Sequence, residues 1–235
     1  MKIFKTVVNS LFPNTCIACG DIIEDGEYFC DYCYEMLEEV DFTKNCLRCG
    51  AKKKNCDCKN RVFYYSGMIA PFYNCESAQK SMYKFKFSKN MRNAEFFADK
   101  MALMVKTAFS NVGFDGVTYV PLSFKKQLKR GFNQSEILAK RISEILKISL
   151  FRNLLSSKGR NVNQHDLSNP KERFKNVQGL YACKHKVKGN ILLVDDIKTT
   201  GATLNECAKQ LILNGADNVY CVTGLITERK NKNGN

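Results

Sequence analysis

Residues 191–203, ILLVDDIKTTGAT, run from four apolar side chains into two adjacent carboxylates and then into threonines and a glycine. A continuous apolar run suits a strand buried on both faces, and the small hydroxyl residues after it suit a turn into a helix. Successive strand residues point to opposite faces, so Asp195 and Asp196 serve different purposes. The turn offers backbone N–H groups, the hydroxyls of Thr199, Thr200 and Thr203, and Gly201, where main chain can approach a ligand closely. Lys198 and Ala202 complete the loop. These donors sit at the N-terminus of the next helix, whose dipole favours an anion. Phosphate suits that turn, while sugar hydroxyls, which donate, suit the carboxylates. The pattern predicts a ribose phosphate as ligand. A purely structural explanation is an Asx-type turn with Thr203 as N-cap and Glu206 reaching back. It accounts for Thr203 and Glu206 but not for the paired acids.

Outward from this stretch, strand-like and helix-like segments alternate. Residues 61–70, 115–122, 190–197 and 218–226 read as strands; 94–109, 133–148 and 204–212 read as helices. Asn133 with Glu136 forms a plausible capping pair, and Asn214-Gly215 closes the last helix. Such alternation predicts an α/β fold, a parallel sheet with helices on both faces and ligands beyond the carboxyl ends of the strands. At the start, Phe4, Val7, Val8, Leu11 and Phe12 fit one face of a short packing helix ended by Pro13. There is no small-residue cleavage site and no apolar run of membrane-spanning length, so a cytoplasmic protein without membrane insertion is expected.

Eight of the twelve cysteines fall between residues 16 and 58. Cys16/Cys19, Cys30/Cys33 and Cys46/Cys49 are C-x2-C pairs, and Cys56/Cys58 is a C-x-C pair. In a reducing compartment such spacing implies metal ligands rather than disulfides. One or two structural zinc sites are predicted, sequential and interleaved pairings both being open. Residues 1–62 thus read as a small cysteine-rich zinc module and 63–235 as the α/β domain. Cys75, Cys183, Cys207 and Cys221 read as small core residues.

The chain carries a net charge of +14, unevenly spread. Residues 1–61 hold nine Lys and Arg against ten Asp and Glu, and eight thiolates on two zinc ions bring that segment to about −5. The remaining residues hold 28 basic and 13 acidic side chains. Polyanion binding therefore belongs to the body. In residues 80–92, Lys80, Lys84, Lys86, Lys89 and Arg92 are interleaved with Tyr83, Phe85 and Phe87, cations for phosphates among rings for base stacking. The alternation of YKFKF equally describes a strand with one buried and one solvated face.

The sequence LLVDDIKTTGAT resembles the phosphoribosyl-diphosphate (PRPP) signature of type I phosphoribosyltransferases. The motif order is similar to the ComF family of competence-associated phosphoribosyltransferase-like proteins: LFPNTCIACG, FCDYC and NCLRCG, then YVPL, KRGFNQSEILAK and NQHDLSNPKERFKNV. This resemblance implies a type I phosphoribosyltransferase-like sheet in which Asp195 and Asp196 hold ribose hydroxyls and Thr199 to Thr203 hold the 5′-phosphate. It implies Leu122 and Ser123 as main-chain donors to pyrophosphate, Arg160, Gln164 and Arg173 as contacts from a closing loop, and magnesium bound with PRPP. Asn161 departs from the threonine expected three residues ahead of Gln164. Arg130, Asn133 and Gln134 fall near the same rim. The function implied is handling of single-stranded DNA during DNA uptake, beside a helicase-like ATPase. An active transferase moving phosphoribosyl to an amine or base, or a PRPP sensor without turnover, are the alternatives.

Overall fold

The structure, a computed structural model, describes residues 13–56, 58–88, 90–158 and 177–228. Its strands are β1 (Gly67–Ile69), β2 (Phe72–Tyr73), β3 (Gly116–Tyr119), β4 (Leu155–Ser157), β5 (Tyr181–Cys183), β6 (Asn190–Lys198) and β7 (Asn218–Ile226). Its α-helices are α1 (Asp31–Glu35), α2 (Glu76–Ser88), α3 (Met91–Ala108), α4 (Phe124–Arg130), α5 (Gln134–Leu146) and α6 (Ala202–Leu213). In the central sheet β6 lies between β3 and β7, and β1 and β2 pair in succession along the far side of β7. All of these pairings are parallel. Separately, β4 and β5 form an antiparallel pair.

The apolar run of β6 is shared between two faces by strand alternation. Leu192 and Val194 enter a cluster with Phe97, Met101 and Val105 of α3 and Leu138 and Ile142 of α5. Ile191 and Leu193 enter a second cluster with Leu204, Cys207, Ala208 and Leu211 of α6. The sheet is therefore covered on both sides, as its composition predicts. Cys207 and Cys221 are buried core residues, whereas Cys75 and Cys183 sit only at the core's edge.

The cysteine-rich segment shares the first of these clusters. Ile17, Phe29 and Cys33 belong to it, with Phe29 and Phe96 rings edge-to-face at 4.9 Å. Arg92 donates to the Thr15 carbonyl at 2.8 Å and to that of Glu27, and Asn93 donates to Ile17 O at 3.1 Å. The start of α3 thus clamps the segment through its main chain.

One of the two readings of residues 80–92 fails. YKFKF is not a strand: it lies within α2, where Ala78, Met82 and Phe85 are all fully buried. Those positions are spaced four and three apart, the helical stripe, and this contact with the core outweighs the local alternation. The N-terminal helix expected over residues 4–12 lies outside the described residues.

Candidate functional site

β3 stops at Tyr119, opposite Val194, so beyond that point β6 has no strand neighbour on that side. At this end of β6 the two carboxylates turn back on the main chain. Asp195 Oδ1 accepts from the Asp196 N–H at 2.9 Å, and Asp196 Oδ1 accepts from the Ile197 N–H at 2.6 Å. Each carboxylate is thereby fixed against its own backbone. Asp195 Oδ1 also accepts from Ser135 Oγ at 2.9 Å, while Asp196 Oδ2 meets Lys86 Nζ at 2.8 Å. Burial and then the charge of Asp196 push the Asp195 carboxyl up to about 7. Lys126 is exposed, yet desolvation, then the charges of Arg130 and Lys86, hold its ammonium below the ordinary lysine range.

The strand continues to Lys198, and the turn to α6 is correspondingly short, with Gly201 as N-cap at φ 80°. That left-handed conformation favours glycine, and a Cβ there would lie 3.2 Å from Lys198 Cε. Lys198 is 4% exposed, its stem running beneath the turn. The Ala202 N–H donates to Thr200 Oγ1 at 3.3 Å. Thr203 lies inside α6 and is not its cap. Glu206 accepts instead from the Gly179 N–H at 3.1 Å and from Gln210 at 3.2 Å. The capping-box explanation of this turn therefore does not hold. Leu122 and Ser123 occupy the turn between β3 and α4, at the same end of the sheet, with Ser123 as N-cap of α4. Arg160, Asn161, Gln164 and Arg173 lie outside the described residues.

The cysteines gather into two sets, Cys16, Cys19, Cys30 and Cys33, then Cys46, Cys49, Cys56 and Cys58, each with its sulfurs within 4.8 Å of one another. The pairing is sequential. Zinc–sulfur bonds of about 2.3 Å put thiolates about 3.8 Å apart on a tetrahedron. Cys19–Cys30 and Cys46–Cys58 are separated by 3.7 Å and Cys49–Cys56 by 3.8 Å. Both sets fit a closed, structural zinc site. Burial alone would raise the Cys16 thiol, but backbone N–H groups at Cys19, Cys30 and Ala18 bring it down to about 6, whereas burial holds the Cys19 and Cys33 thiols above the ordinary range.

A double zinc ribbon domain matches residues 7–63. Competence protein F of Haemophilus influenzae is 25% identical over 222 residues, 89% of this chain and 96% of that one. DNA utilization protein YhgH of Escherichia coli K12 is 30% identical over 147 residues, 60% of this chain and 64% of that one. Both relatives agree with the resemblance to the ComF family. The chain's match spans a little under two thirds of the length of the E. coli relative. Among solved structures, TT1426 of Thermus thermophilus overlaps 60% of the chain and 85% of its own length at 14% identity and a TM-score of 0.34, too slight a likeness to argue from.

The residues expected at nucleic acid are divided by α2. Phe85 is fully buried and is a core ring, not a stacking platform. Lys86 faces Asp196, Lys80 pairs with Glu76 at 2.7 Å, and Arg92 is spent on the cysteine segment. Lys84 Nζ lies beside Gly20. Lys89 is outside the described residues. Tyr83 and Phe87 remain on the surface, 61% and 53% exposed, with ring centroids 4.4 Å apart. Arg130 reaches over Phe87 at 5.6 Å and donates to Gln134 Oε1 at 3.1 Å. Gln134 donates to Lys86 O at 3.3 Å, while Asn133 caps α5 and donates to Val120 O. The KRGFNQ stretch therefore binds the end of α2 to the end of β3. Three participants went unread as site residues: Ser135, Lys126 and, at the carboxylates, Lys86. The KKQLKR cluster signalled only charge, and nothing local joins residue 86 to residue 196. No helix among the described residues is long and apolar enough to cross a membrane.

Proposed function

We propose that the protein handles single-stranded DNA during DNA uptake, on a face formed by α2 and α4, next to a site that takes PRPP or another ribose phosphate. The observation that carries the DNA reading is the Tyr83–Phe87 ring pair with Arg130 over it. Exposed rings beside cations suit unpaired bases on a phosphate chain. The names of the relatives, competence protein F and DNA utilization protein, support the process. The cytoplasm and a helicase-like ATPase of the uptake machinery are the place and partner that this reading carries with it.

At the neighbouring site, Asp195 and Asp196 would accept from ribose hydroxyls, and the Thr199–Thr203 turn would receive the 5′-phosphate at the start of α6. Magnesium would neutralise pyrophosphate there. What supports this reading is that two carboxylates and the first turn of α6 lie at one end of the sheet; one Asp196 oxygen is already taken by Lys86. Lys86 then links the two sites, holding Asp196 from the same helix that carries the rings.

Anisotropy of a labelled oligonucleotide tests the DNA reading. Affinity should exceed that for duplex, fall steeply with salt, and weaken about tenfold or more when Tyr83 and Phe87 are both changed to alanine. Equal affinity for duplex, or an unaltered double variant, refutes it. Turnover is a second reading: burial and the charge of Asp196 raise the Asp195 carboxyl to about 7, a range in which a carboxylate at this position would take a proton from an incoming amine or base. Pyrophosphate release from PRPP that requires a particular acceptor would establish it, and release with none of a panel of amines and bases would count against it.

A further inference from the structure

Residues 13–43 contain nine Asp and Glu and no Lys or Arg, in a chain of net charge +14. All nine are exposed. A zinc ion on four thiolates adds two further negative charges. Apolar side chains stand among them: Tyr32 is 73%, Tyr34 57% and Met36 43% exposed. Between this segment and α3 runs a groove of about 350 Å³ whose lining includes Tyr28, Phe29, Tyr34, Phe96, Leu103 and Glu27. Its floor is firm, since Phe96 meets Tyr28 at 5.4 Å and Phe29 at 4.9 Å. The cations near it are engaged: Arg92 with main-chain carbonyls, Arg141 with Asp99 at 3.0 Å, and Lys100 at 3.8 Å from Glu39. An acidic rim of this kind repels nucleic acid, so the DNA reading leaves the face unexplained.

The complementary surface is on the same chain. α4 reads FKKQLKR, with Phe124 and Leu128 one helical turn apart and 72% and 69% exposed, and basic residues at four of the other five positions. We propose that α4 of one copy docks its Phe124–Leu128 face into the acidic groove of a second copy, Leu103 and Tyr34 receiving the apolar pair and Glu27 receiving Lys129. The contact is heterologous: groove and helix are different patches, so it generates chains or rings of copies rather than a closed two-fold dimer. Net repulsion between two positive molecules does not forbid it, because beyond about 8 to 10 Å in physiological salt distant charges are screened and local complementarity decides. A short helix in a shallow groove belongs to the weak, transient class of interface. Association is therefore expected only at high protein concentration and low salt.

Sedimentation velocity on the full chain tests this directly. Wild type should associate progressively with concentration and dissociate as salt rises. Leu103→Glu and Leu128→Glu, both at exposed positions, should each remain monomeric alone while retaining zinc. Mixed together, each supplies the patch the other lacks, and the mixture should form a one-to-one dimer and nothing larger. Glu27→Lys or Lys129→Glu alone should weaken self-association, and one chain carrying both changes should recover it. Monomeric wild type at low salt, association that strengthens with salt, or a mixture that stays monomeric overturns the proposal. So does a closed wild-type dimer that never extends.

Discussion

Lys86 Nζ lies 2.8 Å from Asp196 Oδ2, with the two side chains 18% and 16% exposed. The contact joins the middle of the sheet to the helix that carries the surface rings. It also gives the signature carboxylate a cation before any ligand arrives. A ribose hydroxyl bound at Asp196 must share that oxygen with Lys86 or displace it.

Removing Lys86 tests how much that cation matters. Lys86→Met leaves a largely buried carboxylate unpaired and should lower stability by about 1–3 kcal/mol near neutral pH. Adding Asp196→Asn should restore most of the loss. Denaturant titration of the wild type, both single variants and the double variant measures the coupling; independent effects would show that the pair does not interact.

Asp195 makes stability depend on pH in a defined direction. Its folded pKa, about 7, lies above the ordinary 3.8, so the native state binds this proton more tightly than the unfolded state does. The resulting stability is fully present below about pH 4 and disappears as pH rises through about 7. Asp195→Asn should flatten the stability profile across that window, as followed by chemical denaturation at successive pH values. A variant profile parallel to wild type would assign the effect elsewhere.

Two zinc ions per chain are expected, and Cys19→Ser should reduce the number to one by atomic absorption. Chelation should open the ribbons first. In hydrogen exchange, the Cys16, Ile17 and Gly20 amides, which bond to Asp21, Tyr28 and Cys16, should lose protection while Leu192 and Val194 in β6 keep theirs. Simultaneous loss in both regions would show that ribbons and sheet unfold as one unit. Their shared aromatic contacts through Phe96 make that a real competitor.

Lys129, next in sequence to the Arg130 that reaches over Phe87, should act as a phosphate contact without base preference. Lys129→Ala should weaken oligonucleotide binding uniformly across sequences and reduce the salt slope by about one. Lys84→Ala should leave that slope unchanged, because Lys84 is turned toward Gly20 of the first ribbon. The reverse ranking would relocate the nucleic-acid face.

Long elements buried on both sides were readable from sequence. β7 spans Asn218–Ile226 and β6 ends one residue beyond its expected limit, because continuous apolar runs leave little choice of structure. The cysteine spacing likewise announced its metal sites, while the sequential pairing needed the fold. What stayed hidden was decided by distance in the chain. Tyr83, Phe85 and Phe87 alternate like a strand, and only the Ala78–Met82–Phe85 stripe against the core makes them helical. The Lys86–Asp196 and Ser135–Asp195 contacts bring together residues far apart in sequence, through the packing of α2 and α5 against the end of β6. β4 and β5 are too short for periodicity to mark them.

Calorimetric titration with PRPP and magnesium bears most directly on the carboxylate site. The wild type should bind with one-to-one stoichiometry, and Asp196→Ala should lose detectable binding while keeping both zinc ions and its helical content. Equal affinity in the two proteins, or no heat of binding in the wild type, would contradict a phosphorylated pentose lodging at the end of β6.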